Sequence, residues 1–168
     1  MKISIKKGKG DFHKKIAQLK KLGQQNVAAG HFAEQGQHED SEMSYVDLMK
    51  FHHKGGTSAN GVKSPSRPVR AKMMMYGTRA AVSSKLVRNA FKEWSGGRIS
   101  NEGFFKALGT TLVQYERSVF GATGPLEPNA ALTIALKGKN DPLIATGDLI
   151  DHVAYKTSIS KKVVENVR

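Results

Sequence analysis

Apolar residues recur at helical spacing along two long stretches of the chain. The first stretch predicts a helix over residues 78–94, and the second predicts a helix over residues 100–120 with Ser100 as its N-cap. The apolar stripes are formed by Val82, Leu86, Ala90 and Trp94 in the first helix and by Phe104, Phe105, Leu108, Leu112, Tyr115 and Val119 in the second. We expect both amphipathic helices to pack in the core.

A lysine-rich strand and helix are predicted within residues 1–23. Residues 2–6 alternate with the period of a strand, and a helix over residues 11–22 follows, with Asp11 as its N-cap and Gly23 at its end. The apolar face of this helix is formed by Phe12, Ile16, Leu19 and Leu22. The pattern favours a surface helix packed on a sheet, and a helix that binds a membrane surface or nucleic acid is the alternative.

Two further strands and two shorter helices complete the predicted elements. Residues 152–157 have the β-branched and aromatic content of a strand, and residues 25–32 are a plausible strand that Gly30 weakens. Ser44 is a suitable N-cap for a helix that ends at Gly55-Gly56, and Pro128 is acceptable as the first residue of a short helix that ends near Leu136.

Two polar segments are expected to be loops. Residues 33–43 are acidic and have no aliphatic anchor for a core, and residues 54–72 form a long basic segment with two prolines. With a tail over residues 158–168, the order of elements predicts one α+β domain over residues 1–168. A small, mainly antiparallel sheet packs against helices in this domain.

The composition narrows the classes of function. The formal net charge of +13 favours solubility and affinity for polyanions. The chain has no cysteine, which excludes disulfides, zinc–thiolate sites and a thiolate nucleophile. Its N-terminus is basic without a following apolar run, and no window is apolar enough to span a bilayer. We therefore expect a protein that is made in the cytoplasm and has no membrane partner.

Charge is segregated along the chain. No acidic residue lies between Leu48 and Lys92, whereas no lysine or arginine lies between Asn26 and Met49. The basic residues singled out as candidates for a subunit interface or a DNA channel are Lys63, Arg67, Arg70, Lys72 and Arg79. The acidic residues singled out as a candidate interface are Glu34, Glu39, Asp40, Glu42 and Asp47. Two interpretations stay open: the basic segment binds a phosphate backbone, or it meets the acidic segment of a neighbouring subunit.

Catalytic and metal-binding patterns are weak. His52 and His53 are adjacent, so on a helix they point in different directions, and the other histidines have no recognisable ligand spacing. Asp148, Asp151 and His152 lie close together, but no nucleophile elbow accompanies them, and acids at the start of a helix are favoured by its dipole. We expect no enzyme activity, no metal and no cofactor.

The segment 142–155 carries the most specific pattern. Pro142 interrupts the preceding element, Thr146 is predicted to cap a short helix, Gly147 follows, Leu149 gives the helix an apolar side, and Tyr155 lies in the final strand. Pro-Leu-Ile-Ala-Thr-Gly-Asp-Leu resembles the closing phrase "PLIDTG-x-L … S-I-x-Y" of the neck and tail-completion proteins of tailed bacteriophages, although Ala145 replaces the usual aspartate.

Three more segments resemble that family in the same order. Residues 26–32 are similar to its "V-x-V-G-F" strand, and residues 44–56 to its "V-A-x-I-H-E-F-G" segment, with His53-Lys54 in place of Glu-Phe. Residues 64–70 are similar to its "I-P-P-R-P-F-x-R" segment, with Val69 in place of the aromatic. With residues 142–155, we call these the four resemblance segments.

The resemblance implies a structural component of the virion at the head–tail junction. Proteins of this family form a ring, here expected to be hexameric, that completes the tail and joins it to the head connector or adaptor. The expected partners are further copies of the chain, tail tube or sheath proteins, and genomic DNA in the central channel. Assembly would take place in the host cytoplasm. The alternative function is a basic nucleic-acid-binding protein that acts as a monomer or dimer.

Overall fold

A computed structural model describes residues 9–57, 61 and 63–157, which form the predicted α+β fold. The helices are α1 (Lys9–Gly23), α2 (Tyr45–Lys54), α3 (Val69–Lys72), α4 (Thr78–Ser83), α5 (Lys85–Ser95), α6 (Asn101–Arg117), α7 (Ala131–Lys137) and α8 (Asp148–Asp151). The strands are β1 (Val27–Gly30), β2 (Gly56–Thr57), β3 (Lys63–Ser64) and β4 (Ala154–Thr157). The predicted strand at residues 2–6 and the tail 158–168 lie outside the described residues.

The strands form two small antiparallel sheets. β1 pairs with β4, with Val27 opposite Thr157 and Gly30 opposite Ala154. This pairing confirms both predicted strands and joins segments that lie more than a hundred residues apart. β2 and β3 form a separate two-stranded ladder. The antiparallel arrangement is as predicted, but the strands do not form one sheet.

Helix α6 lies at the centre of the fold and packs against β1, β4, α4 and α5. Its start is as predicted, because the Ser100 hydroxyl accepts a hydrogen bond from the Gly103 amide at 3.2 Å. Gly109 lets the helix approach β4 closely: a Cβ at this position would lie 2.3–2.8 Å from three ring carbons of Tyr155. Any larger residue at Gly109 would force the strand away from the helix.

The hydrophobic core joins residues from most parts of the chain. Its buried members are Tyr45, Val69, Met73, Ala81, Leu112, Val119, Phe120, Leu126, Leu149 and Val153. Pro142 is fully buried, and its carbonyl accepts a hydrogen bond from the Gly121 amide at 3.0 Å. The following residue, Leu143, has a φ of 59°, an uncommon left-handed conformation for a residue with a side chain. The closing segment is therefore anchored from its first residue.

The single helix predicted over residues 78–94 is wrong. The chain breaks at Ser84, which has extended backbone angles and caps α5 by accepting a hydrogen bond from the Val87 amide at 3.2 Å. The predicted apolar stripe is split as a result, since Ala90 and Trp94 are buried whereas Val82 and Leu86 are exposed.

The predicted basic loop 54–72 is partly regular. It contains β2 and β3, and α3 begins at Val69, immediately after Pro68. Val69 is completely buried, and the start of α3 is fixed by packing against the core rather than by a capping side chain. A π-helix over Met73–Gly77 then joins α3 to α4.

Smaller predictions also need correction. Helix α1 starts before Asp11, so that residue is not an N-cap, and Phe12 and Leu19 on the predicted packing face are exposed. Helix α7 starts at Ala131 rather than at Pro128. Gly147, with a φ of 101°, is the N-cap of α8, and the Thr146 hydroxyl instead accepts from the Asp148 amide at 3.3 Å.

A buried carboxyl group lies where α6 passes β1. Glu116 is only 5% exposed, and a Cβ on Gly30 would lie 3.7 Å from its Oε1 atom. Burial raises the pKa of Glu116 to about 7, although the positive charge of Arg70 acts in the opposite direction. Because the pKa in the unfolded chain is near 4.5, the folded state binds an extra proton between about pH 4.5 and pH 7. This group therefore contributes most to stability at low pH, and its contribution is lost as the pH rises to about 7.

We expect Glu116→Gln to remove this pH dependence. When the pH rises from 5 to 8, the free energy of unfolding of the wild type should fall by about 2–3 kcal/mol relative to that of the variant. Urea unfolding of both proteins at the two pH values measures this relative change. Both proteins contain the same histidines, so comparison at equal pH cancels the contribution of histidine titration. Glu102→Gln, at an exposed position of the same helix, is the control. A constant difference for Glu116→Gln would contradict the expectation.

Candidate assembly surfaces

The side chain of Asp148 forms a joint between the closing segment and the middle of the chain. The Tyr45 hydroxyl donates a hydrogen bond to Asp148 Oδ2 at 2.8 Å. His152 Nδ1 lies 2.8 Å from Oδ1 of the same carboxylate, and His38 Nε2 lies 3.4 Å from Oδ2. The Asp148 side chain is only 12% exposed, so these contacts replace most of its hydration. We call these residues and His31 the Asp148 joint.

Ring stacking completes the Asp148 joint. The ring of Tyr45 stacks on His152 at a centroid distance of 4.0 Å and lies 6.1 Å from His31, nearly parallel to it. His31 Nε2 lies 2.7 Å from the carbonyl oxygen of Leu149, so it carries the proton and donates. His38 Nδ1 accepts from the Asp40 amide at 3.1 Å, which leaves the proton on Nε2, facing Asp148. These bonds join the residue after β1, the turn 38–43, α2 and α8.

The chemistry of the Asp148 joint is that of a structural network. Burial, followed by the hydrogen bond to Asp148, raises the pKa of Tyr45 to about 12, which makes its hydroxyl a poor proton donor or nucleophile near neutral pH. Among the described residues, no serine or threonine hydroxyl bonds to the side chain of His152 or Asp148. No group of three or more metal-ligating side chains occurs in residues 9–57, 61 and 63–157.

Sequence reasoning noted Asp148 and His152 together but not their association with His31, His38 and Tyr45. Asp148 and His152 are four residues apart on one short helix, whereas His31, His38 and Tyr45 lie more than a hundred residues earlier. The pairing of β1 with β4 and the packing of Tyr45 and Leu149 in one core bring the two groups together. The sequence shows that His31 and His38 lie on either side of the acidic loop, but this position does not specify a partner.

Arg67 has a structural position that differs from its predicted surface role. Its side chain is buried, and it donates to the carbonyl oxygens of Glu127 and Pro128 at 3.2 Å and to Asn129 Oδ1 at 3.1 Å. The neighbouring His52 is partly buried, and this burial together with the charge of Arg67 lowers the pKa of His52 to about 4. The guanidinium binds the segment before α7, the Arg67 amide donates to the His52 carbonyl near the end of α2, and the side chain does not face solvent in the isolated chain.

The other basic candidates lie at different places. Lys63 is exposed in β3, and Arg79 is exposed on α4. Arg70, on α3, acts on the buried Glu116. Lys72, at the end of α3, lines a cleft beside the π-helix. The structure thus separates the predicted basic group: Lys72 and Arg79 flank the π-helix, Lys63 lies on the β2–β3 ladder, Arg67 is buried, and Arg70 is partly buried near Glu116.

The acidic candidates also separate into two groups. Glu34 pairs with Lys156 of β4, and Asp47 accepts from the Ser44 hydroxyl and from Lys50 at the start of α2. The remaining three, Glu39, Asp40 and Glu42, are exposed on the turn 38–43. Within the part of the chain that the structure describes, none of these three forms an ion pair. This acidic turn is therefore the unneutralised part of the predicted acidic interface.

Large apolar side chains are exposed on several helices. They are Phe12 and Leu19 on α1, Met43 on the acidic turn, Met74 and Met75 on the π-helix, Val82 on α4, Leu86 and Phe91 on α5, and Leu132 and Leu136 on α7. Exposed apolar residues scattered singly are ordinary, but several on adjoining helices indicate contact surfaces. The π-helix, α4 and α5 combine them with exposed Arg79, Lys85 and Arg88.

A cleft opens between the π-helix and the end of α6. It has a volume of about 320 Å³, and its walls include Gly77, Tyr115, Val119 and Pro125, with Lys72 and Ser118 as polar members. A π-helix widens the backbone locally and commonly marks a functional position. The cleft is mostly apolar, and Lys72 supplies a positive charge.

Comparisons with protein-family models, with curated proteins and with solved structures gave no significant match to this chain. Among the residues that the structure describes, no helix is long and apolar enough to cross a bilayer.

We expect Arg67→Met to lower the free energy of unfolding by about 2–3 kcal/mol, because three oxygen acceptors in the fold lose a charged donor. Chemical denaturation measures the change. Arg79→Met removes the same charge from an exposed position and should change stability by less than about 0.5 kcal/mol. Equal effects of the two substitutions would show that Arg67 does not have the structural role assigned to it.

Proposed function

We propose that this chain is a structural subunit of the head–tail junction of a tailed phage. Copies of the chain form a ring, expected to be hexameric, that completes the tail and joins it to the head connector, with genomic DNA passing through the centre. The subunit contributes surfaces for assembly and performs no chemical step.

The observation that carries this proposal is the convergence of the four resemblance segments in one core. Each segment contributes a residue to the same hydrophobic cluster: Val27, Tyr45, Val69 and Leu149. Hydrogen bonds add to this packing, since Tyr45 binds Asp148 and the Arg67 amide donates to the His52 carbonyl at 2.7 Å. A chance likeness would not require four separate stretches to meet. The contacts among the four resemblance segments support the interpretation that they match the family as one structural unit.

The surfaces of the molecule are compatible with self-association. A ring needs two different patches on each subunit, because every copy contacts its two neighbours in a head-to-tail manner. Among residues 9–57, 61 and 63–157, the carboxylates of the acidic turn have no ion-pair partner, and exposed apolar and basic side chains lie on the π-helix, α4 and α5. Opposite charge on two patches favours a single orientation of neighbouring copies.

A nucleic-acid-binding monomer or dimer is the second candidate. The observation that favours it is the exposed positive charge of Arg79, Lys85 and Arg88 on α4 and α5, in a segment without acids. Such a surface would bind DNA with an affinity that falls steeply with salt concentration.

Immunogold labelling of purified particles from the phage that encodes the chain tests the proposal. We expect label at the head–tail junction of intact virions and release of the chain when heads and tails are separated. A second measurement determines the affinity of the purified chain for a 30-base-pair duplex at two salt concentrations. Absence of the chain from particles, together with tight and salt-sensitive DNA binding by the free monomer, would favour the second candidate and reject the first.

A further inference from the structure

The acidic turn 38–43 is ordered by its own hydrogen bonds, and Met43 is the apolar residue at its C-terminal base, next to the bridge between Gln37 and Ser44. The His38 amide donates to the Met43 carbonyl at 3.0 Å, the Ser41 amide donates to the His38 carbonyl at 3.1 Å, and the Met43 amide donates to the Ser41 hydroxyl at 3.2 Å. The turn is closed at its base by the antiparallel bridge between Gln37 and Ser44. Met43 is 37% exposed. Because the turn is already ordered, little conformational entropy is lost when it binds a partner.

The cleft between the π-helix and α6 has the complementary character. Its apolar members can accept a flexible thioether, and a methionine sulfur beside the Tyr115 ring would make a favourable contact. Lys72 supplies positive charge within the cleft, and Arg79 lies two residues beyond Gly77. The acid closest in sequence to the Pro125 side of the cleft is Glu127, which is exposed. The cleft therefore suits an apolar side chain that has a carboxylate beside it on the Lys72 side.

We propose that the acidic turn of one copy docks in this cleft of a second copy, with Met43 inserted between Tyr115 and Val119 and with Glu42 facing Lys72. The contact joins two different surfaces, so it is heterologous and can continue from copy to copy. The inference rests on the self-association in the proposed function, and it adds the identity of the two contacting surfaces.

Site-directed disulfide formation tests this docking, because the natural chain has no cysteine and each introduced thiol is unique. Chains with Met43→Cys are mixed with chains carrying Ser118→Cys under mild oxidation, in solution and in assembled particles. We expect this pair to form a cross-linked dimer at least ten times faster than the control pair, Met43→Cys and Lys106→Cys. In the control pair the second thiol is on the exposed side of α6.

A charge exchange gives the test a second readout. Glu42→Lys, on the exposed turn, should slow the cross-linking at least fivefold without altering the fold, and Lys72→Glu in the partner chain should restore it. Restoration supports the pairing of these two side chains, whereas a further loss in the combined variants overturns it.

The outcomes separate this inference from the proposed function. If particles contain the chain but Met43→Cys cross-links no faster to Ser118→Cys than to the control, the docking is wrong and the proposed function stands. If Ser118→Cys in particles cross-links to a different virion protein, a different partner occupies the cleft, and the docking is again wrong. If particles lack the chain, both proposals fail.

Discussion

The Asp148 carboxylate, with the Tyr45 hydroxyl bonded to it, is the interaction on which the architecture depends. A carboxylate that is nearly withdrawn from water needs donors, and the fold supplies them from Tyr45, His152 and His38. These donors come from α2, from α8 itself and from the acidic turn. One largely enclosed carboxyl group therefore couples the closing segment to the middle of the chain, and the pairing of β1 with β4 adds a second connection nearby. The rest of the core, including α6, packs around this pair of connections.

The Asp148 joint also determines which charged side chains stay at the surface. His38 uses one ring nitrogen toward Asp148 and accepts from the Asp40 amide with the other, so the acidic turn is held rigidly against the core while its carboxylates stay in solvent. The basic segment is also divided between interior and surface. Arg67 is buried and donates to backbone carbonyls, whereas Lys72 and Arg79 lie beside the π-helix. The charge asymmetry of the sequence thus becomes two smaller surfaces of opposite sign. This arrangement suits a subunit that binds its own copies in one orientation.

Periodicity and caps were sufficient to predict much of the secondary structure. Ser44 and Ser100 cap the helices predicted for them, and the strands at 25–32 and 152–157 were placed correctly because composition and turn residues act locally. The remaining features depend on contacts that are distant in sequence. Ser84 breaks a regular stripe because its hydroxyl caps α5, and Val69 starts a helix where a proline-rich loop was expected because the core buries it. Arg67 has the same side chain as a surface arginine, and only the position of residues 127–129 makes it structural.

A double-mutant cycle on unfolding tests the central claim most directly. Tyr45→Phe removes the hydroxyl and keeps the ring that stacks on His152, and Asp148→Ala removes the acceptor. If the bond joins the two parts of the fold, the two substitutions should be coupled by about 1–2 kcal/mol in the free energy of unfolding, with the double variant less destabilised than the sum of the single variants. Additive effects, with a coupling energy indistinguishable from zero, would contradict the account.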